Sequence, residues 1–241
     1  MRIFSSIRER IGMVVGAGVG ALALLGCGLL FTLVLAPKQK IEAQQIERMP
    51  IMDADAVADA PAGEEILVTG RLAGEALPGA GEFVAYELEE WVVRPADPAT
   101  PDAEPDGNWE TVRQITPDLE LTISGKKIQL LIAEMAKLSG PLHEELVYSD
   151  NYNTAEYEGE TLPDGSFRYR GFYAGDLATV LGKKASSGGV IPDEYYGGDR
   201  VAFTENKHSA AKGMLIGGMC MIGLAPLVLI GGVLSAVFRR R

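Results

Sequence analysis

A chain of 241 residues with a net charge of −11 and 47% hydrophobic residues has the bulk composition of a globular protein, but its apolar residues are not spread evenly. Two charge-free apolar blocks, 11–36 and 213–238, hold 26 residues each, and the 176 residues between them carry a net charge of −16. This distribution excludes a simple soluble protein and a chain disordered throughout, and phosphate repulsion by so acidic a segment excludes a nucleic-acid binder.

Residues 1–10 form a basic tail in which Glu9 alone opposes Arg2, Arg8 and Arg10. The block 11–36 follows. A helix rises about 1.5 Å per residue, so this block reaches roughly 39 Å, against a hydrocarbon core of about 30 Å. A signal peptide has an apolar run of only about 7–15 residues before a small-residue cleavage site. The block therefore reads as an uncleaved first transmembrane helix. Gly12, Gly16 and Gly20 recur every four residues and share one helix face, where small residues let two backbones approach closely.

Residues 37–63 read as a juxtamembrane helix, KQKIEAQQIERM, followed by an acidic Ala/Pro linker. From 64 to 205 the pattern changes to short strands, giving a mainly β extracytoplasmic domain, a small barrel or sandwich, held by the two helices. ILVTGRL (66–72) and EFVAYELEEWVV (82–93) read as strands. Residues 94–108, with four prolines and the acidic Asp97, Asp102, Glu104 and Asp106, form a loop and a possible partner contact. WETVRQI (109–115) is the return strand. Leu119, Leu121 and Ile123 alternate as in a half-buried strand, and Ser124–Gly125–Lys126 turns the chain into a strand over 128–132. A short helix is predicted over 133–138, and further strands over 155–162, 167–173, 177–184 and 190–192. Turns at Pro163–Asp164–Gly165 and Gly197–Gly198–Asp199 punctuate them. The predicted core comprises Val68, Val84, Tyr86, Leu88, Trp91, Trp109, Leu121, Ile128, Leu130, Val180 and Leu181.

The block 213–238 is the second transmembrane helix. Gly213 and Gly217 repeat the four-residue step, and Pro226 predicts a kink. Arg239–Arg241 close the chain. Short basic tails stay cytoplasmic, so both termini are expected inside and the acidic domain outside, although Lys38, Lys40, Lys207 and Lys212 at the outer ends make the asymmetry modest. The blocks contain no ionisable side chain, which argues against a proton or ion pathway. Both cysteines, Cys27 and Cys220, lie inside the blocks, so neither disulfides nor thiolate chemistry serve the outer domain.

Two spans flanking a β-rich domain resemble the GIDE-type family of membrane-anchored proteins with a beside-a-membrane domain. ILVTGRL with ALPG resembles that domain's opening strand and turn. FVAYELEEW followed by Asn108–Trp109 resembles its long hairpin, LELTISGKKIQLLI its next hairpin, and YRGFYAGDLATVLGK its late Gly–Asp strand. The likeness covers about residues 64–192. Thr122 stands where that hairpin carries Asp. The family's ligase members carry a cytosolic RING that this sequence lacks, so ligase activity is not implied. The sequence resembles more weakly the LUMA-type envelope family, which has a comparable Trp and Gly–Asp pattern.

No catalytic set, cofactor site or metal site emerges. His143 is the one histidine well away from the apolar blocks, and no cysteine accompanies it as a ligand. Ser124 and Lys127 match Ser-x-x-Lys, but a Ser/Lys hydrolase needs a desolvated lysine and partner motifs. Asp102–Gly107 resembles the start of an EF-hand loop, yet its twelfth position is Arg113 rather than Glu. The expectation is a non-enzymatic scaffold or accessory subunit of a bacterial inner membrane with a periplasmic β domain. Its partners are membrane lipid and another membrane protein or a second copy, met through the glycine faces. An envelope hydrolase and a calcium-responsive adhesion or sensor module are the alternatives.

Overall fold

The computed structural model describes residues 2–95, 105–133 and 135–238. In chain order these form helix α1 (Arg2–Leu30), a π-helical segment (Phe31–Leu35), α2 (Ala36–Arg48) and α3 (Ala54–Asp59). Strands β1 (Glu65–Ala73), β2 (Phe83–Arg94), β3 (Asp106–Ile115), β4 (Leu119–Ile123), β5 (Lys126–Leu130) and β6 (Lys137–Ser139) follow. Then come β7 (His143–Val147), β8 (Thr154–Tyr157), β9 (Glu160–Pro163), β10 (Phe167–Tyr173), β11 (Leu177–Lys184), β12 (Val190–Gly197) and helix α4 (Arg200–Phe238). The chain divides into two compact units, a helical one (Met1–Arg48 with Thr204–Arg241) and a β-rich one (Met49–Phe203).

The helical unit contains two helices long and apolar enough to cross a membrane. Where they meet, the side chains are small. Ala21, Gly28, Ala36 and Ala43 are buried on the first helix, and Ala211, Gly218 and Ala225 on the second. Along α4 these positions are seven residues apart, the step that keeps one face toward a partner helix. Along the first helix the middle step, Gly28 to Ala36, is eight, and it contains the π-helical segment. A π turn takes up about one extra residue, which returns Ala36 to the face of Gly28. The backbones touch at Gly28 and Gly218. A Cβ on Gly28 would lie 2.8 Å from the Gly218 carbonyl oxygen, and one on Gly218 would lie 2.9 Å from that of Gly28. Beyond the apolar blocks, Lys207, buried along its stem, pairs with Glu42 at 3.0 Å, and His208 lies 3.5 Å from Glu47. Pro226 lies inside α4, which continues to Phe238.

In the β unit, one sheet closes on itself. β1 pairs with β11 on one edge and β4 on the other, and β4 turns into β5. β12 pairs antiparallel with β11 along one edge. Its other edge meets β5 at Val190↔Leu130 and β6 further along, both parallel. The turn between β4 and β5 is two residues, Ser124 and Gly125, both at positive φ (50° and 82°), the conformation a tight hairpin needs. Ile66, Val68, Leu121, Leu130, Val180 and Val190 fill the interior. β2 is long enough to join two layers. Val84 and Ala85 at its start belong to this core, while Trp91 and Val93 at its end pack with Ala155 and Leu162 of the β8–β9 hairpin. β2 also anchors the second sheet, ordered β3-β2-β10-β7.

The expected strands over 66–72, 82–93, 109–115, 167–173 and 177–184 are present within two or three residues of their predicted ends. Three expectations are corrected. Residues 133–138 do not form a helix in their described part. The Ala133 carbonyl accepts from Thr116 Oγ1 and from the Ala136 amide, the Ala136 carbonyl accepts from Gln114, and Leu138 is drawn into β6 beside Tyr195. Residues 155–162 are two strands rather than one, broken by a Glu158–Gly159 turn with both φ positive. Within the acidic Ala/Pro stretch, α3 forms because Asp53 caps it, accepting from the Ala56 amide at 2.8 Å, and Val57 anchors it in the barrel core. Of the predicted core, Leu88, Trp109 and Leu181 are only partly buried and the other eight are buried.

The helix contact makes a differential prediction. Gly28→Val forces backbone against side chain and is expected to destabilise the full chain in detergent by about 1–3 kcal/mol. Gly26→Val, with nothing within 4 Å of its Cβ position, is expected to leave the thermal midpoint nearly unchanged.

Candidate functional site

The four-stranded sheet carries the densest set of polar chemistry in the β unit. β2 and β10 run antiparallel with Glu89 opposite Arg168 and Glu87 opposite Arg170, so alternation within each strand puts two carboxylates and two guanidiniums on one face. Glu89 Oε2 accepts from both Arg168 Nε (2.8 Å) and Arg168 Nη2 (2.7 Å), and both residues are less than a tenth exposed. Arg168 Nη1 donates to the Tyr157 hydroxyl at 2.8 Å, and its guanidinium lies 4.4 Å over the Trp109 ring. Trp91, Trp109 and Tyr157 pack edge and face with centroids 5.1 to 5.7 Å apart. Arg170 pairs outward with Glu144 of β7 at 2.7 Å. Gly107 is required here because its backbone runs against the Trp91 indole, leaving no room for a Cβ.

This cluster stiffens the end of the β2–β3 hairpin. Arg94 pairs with Asp106 in the last rung, and the Val93 amide donates to Asp164 Oδ1 at 2.8 Å, tying the hairpin to the Pro163–Gly165 turn. The proposed partner loop springs from this base. Asp97, Asp102 and Glu104 lie outside the described residues. Asp106 is exposed at the start of β3, its carboxylate accepting from the Gly107 amide. Arg113, the twelfth position of the EF-hand-like stretch, is in β3 and donates to the Tyr86 hydroxyl.

At the other end of β10, Tyr173 donates to Glu145 at 2.6 Å, and His143 stacks on its ring at 4.0 Å. Asp176 accepts from the Tyr173 amide at 2.8 Å and faces His143 Nε2 at 3.1 Å. The hydrogen bond to Glu145 pushes the Tyr173 phenol up to about 12, helped by burial and by the charges of Glu145, Glu82 and Asp176. At neutral pH this hydroxyl is therefore a committed donor rather than a base.

The remaining candidates are dispersed. Ser124 sits in the β4–β5 turn, and Lys127, exposed to solvent, pairs with Glu120 at 2.6 Å, so the geometry supplies no desolvated amine beside the serine. Among the described residues no group of three or more His, Cys, Asp or Glu is placed to hold a metal. Gly12, Gly16, Gly213 and Gly217 have nothing within 4 Å of their Cβ positions, and Gly20 meets only Val228 at 3.8 Å. Contact within the hairpin thus falls on Gly28 and Gly218, and the predicted glycine faces are open. The Glu89–Arg168 pair, absent from the sequence reading, had a signal: Glu87/Glu89 and Arg168/Arg170 alternate at period two on neighbouring strands.

No protein-family model matches the chain, and neither a curated protein nor a solved structure does.

Glu89→Ala leaves Arg168 buried without its carboxylate and is expected to cost about 3–5 kcal/mol in denaturant titration of the full chain. Glu120→Ala, which breaks an exposed pair, is expected to cost less than about 1 kcal/mol. Equal small losses would show that the Arg168 cluster is open to water.

Proposed function

We propose that this chain is a two-span membrane protein whose β-rich unit works outside the bilayer as a non-enzymatic interaction module, a scaffold or accessory subunit of a membrane complex. One observation carries this reading. In the helical unit the buried positions of the two apolar blocks are Ala and Gly, and many large apolar side chains face outward: Leu22, Val19, Leu33, Ile216 and Leu227 are each more than 60% exposed. A hairpin built for water has the opposite pattern, whereas lipid covers such a surface without penalty. The basic tails support cytoplasmic termini and a periplasmic β unit in a bacterial inner membrane. The open faces of Gly12/Gly16 and Gly213/Gly217 are the places where a further helix, from another protein or a second copy, would approach. In the β unit, the Trp91–Trp109–Arg168 cluster packs the strand ends that flank the acidic 94–108 segment, the contact proposed for a partner protein. The kinship with the GIDE-type module belongs to the same proposal.

The test is the native mass of the intact protein purified in mild detergent. A stoichiometric complex or a defined homo-oligomer, reduced by Gly16→Leu or Gly217→Leu, is expected. A monodisperse monomer that no glycine substitution alters contradicts the proposal.

A further inference from the structure

We infer that the groove between the two helices at Thr32, Ala36, Lys40, His208, Lys212 and Leu215 is a binding site for one anionic phospholipid. The inference rests on the membrane-spanning reading above. The groove encloses about 460 Å³ within the helical unit. It straddles the point at which both helices change from charge-free to charged sequence, after Ala36 on the first and before Gly213 on the second. That junction marks the depth of the headgroup region. The lining is mostly apolar, through Ala36, Pro37, Ala211 and Leu215, and it includes two lysines, Lys40 on the first helix and Lys212 on the second.

The charge pattern selects the occupant. Two acidic side chains of the first helix are already engaged: Glu42 holds Lys207 at 3.0 Å, and Glu47 lies 3.5 Å from His208. Among the described residues, Lys40 and Lys212 have no carboxylate partner, although the intervening 176-residue segment carries a net charge of −16. In so acidic a segment, two ammonium groups unpaired across an apolar groove complement a phosphate bearing acyl chains. A neutral zwitterionic lipid brings its own cation into the same space and gains less. Basic pockets between membrane helices bind anionic headgroups on this principle. The lysines that weaken the charge asymmetry of the tails thus acquire a role.

The experiment uses the full chain in phosphatidylcholine nanodiscs with and without phosphatidylglycerol. Retained lipid is read by native mass spectrometry after release into mild detergent. One phosphatidylglycerol per chain is expected in preference to phosphatidylcholine, unaffected by added inorganic phosphate. The double variant Lys40→Ala/Lys212→Ala is expected to lose retention by about tenfold or more, and Lys40→Arg/Lys212→Arg to keep it. Equal retention of both lipids, unchanged retention in the alanine variant, or displacement by inorganic phosphate overturns the inference. Resistance to alkaline extraction from vesicles is scored in parallel. Chain that is extracted overturns the membrane reading together with the lipid site, whereas chain that resists extraction but shows no lipid preference overturns the site alone.

Discussion

Two helices can lie only as close together as the atoms between them permit, and in this protein Gly28 and Gly218 set that limit. With no side chain on either, carbonyl oxygens and backbone meet directly. The rest of the seam is built to the same clearance, with alanines at 21, 36 and 43 on one helix and at 211 and 225 on the other. The π-helical turn at Phe31–Leu35 is the local cost of this arrangement. A straight α-helix would rotate Ala36 off the seam, and the wider turn brings it back. Small residues at the seam leave many bulky apolar ones outside, the surface on which the proposed membrane placement rests.

The same pairing suits the chain's connectivity. The β unit is an insertion between two helices, so the points where the chain enters and leaves it must be close. Within the β unit Arg200 donates to the Met49 carbonyl, joining those two points. Within the helical unit Glu42 and Lys207 are paired, with the lysine stem buried. The buried lysine would be costly to leave unpaired, and Glu42, itself partly exposed, supplies the partner. The β unit uses the same device at Glu89 and Arg168, where a carboxylate, two rings and a hydroxyl satisfy one buried guanidinium.

Much of the β fold was legible in the sequence because burial there is periodic. β4 and β5 bury alternate residues, and β10 and β11 are bounded by turn residues that sequence reading recognises. What was not legible lacks a local signal. β7 is exposed at all five positions, and β6 is three residues long, held by pairing with β12. Residues 133–138 have helical composition, but the side chains of Gln114 and Thr116 claim the Ala136 and Ala133 carbonyls. The acidic stretch before β1 hides one apolar anchor, Val57, among small and charged residues. In the helices, four-residue glycine spacing directed attention to Gly12, Gly16, Gly20, Gly213 and Gly217. The actual seam mixes Ala with Gly at seven-residue steps and is interrupted by a π turn, so no simple motif scan finds it. The Arg168 cluster required register between distant strands, which only the fold supplies.

In the proposed topology the two helices form a membrane hairpin with the β unit on the side opposite both termini. Protease protection in sealed, right-side-out vesicles carrying the full chain with a tag at each end tests it most directly. External protease is expected to cut within residues 49–203 while both terminal tags stay protected until the vesicles are opened. Loss of either tag in sealed vesicles, or full protection of the β unit, would contradict that topology. Release of the intact chain from the vesicles by alkaline washing would contradict the hairpin's membrane insertion altogether.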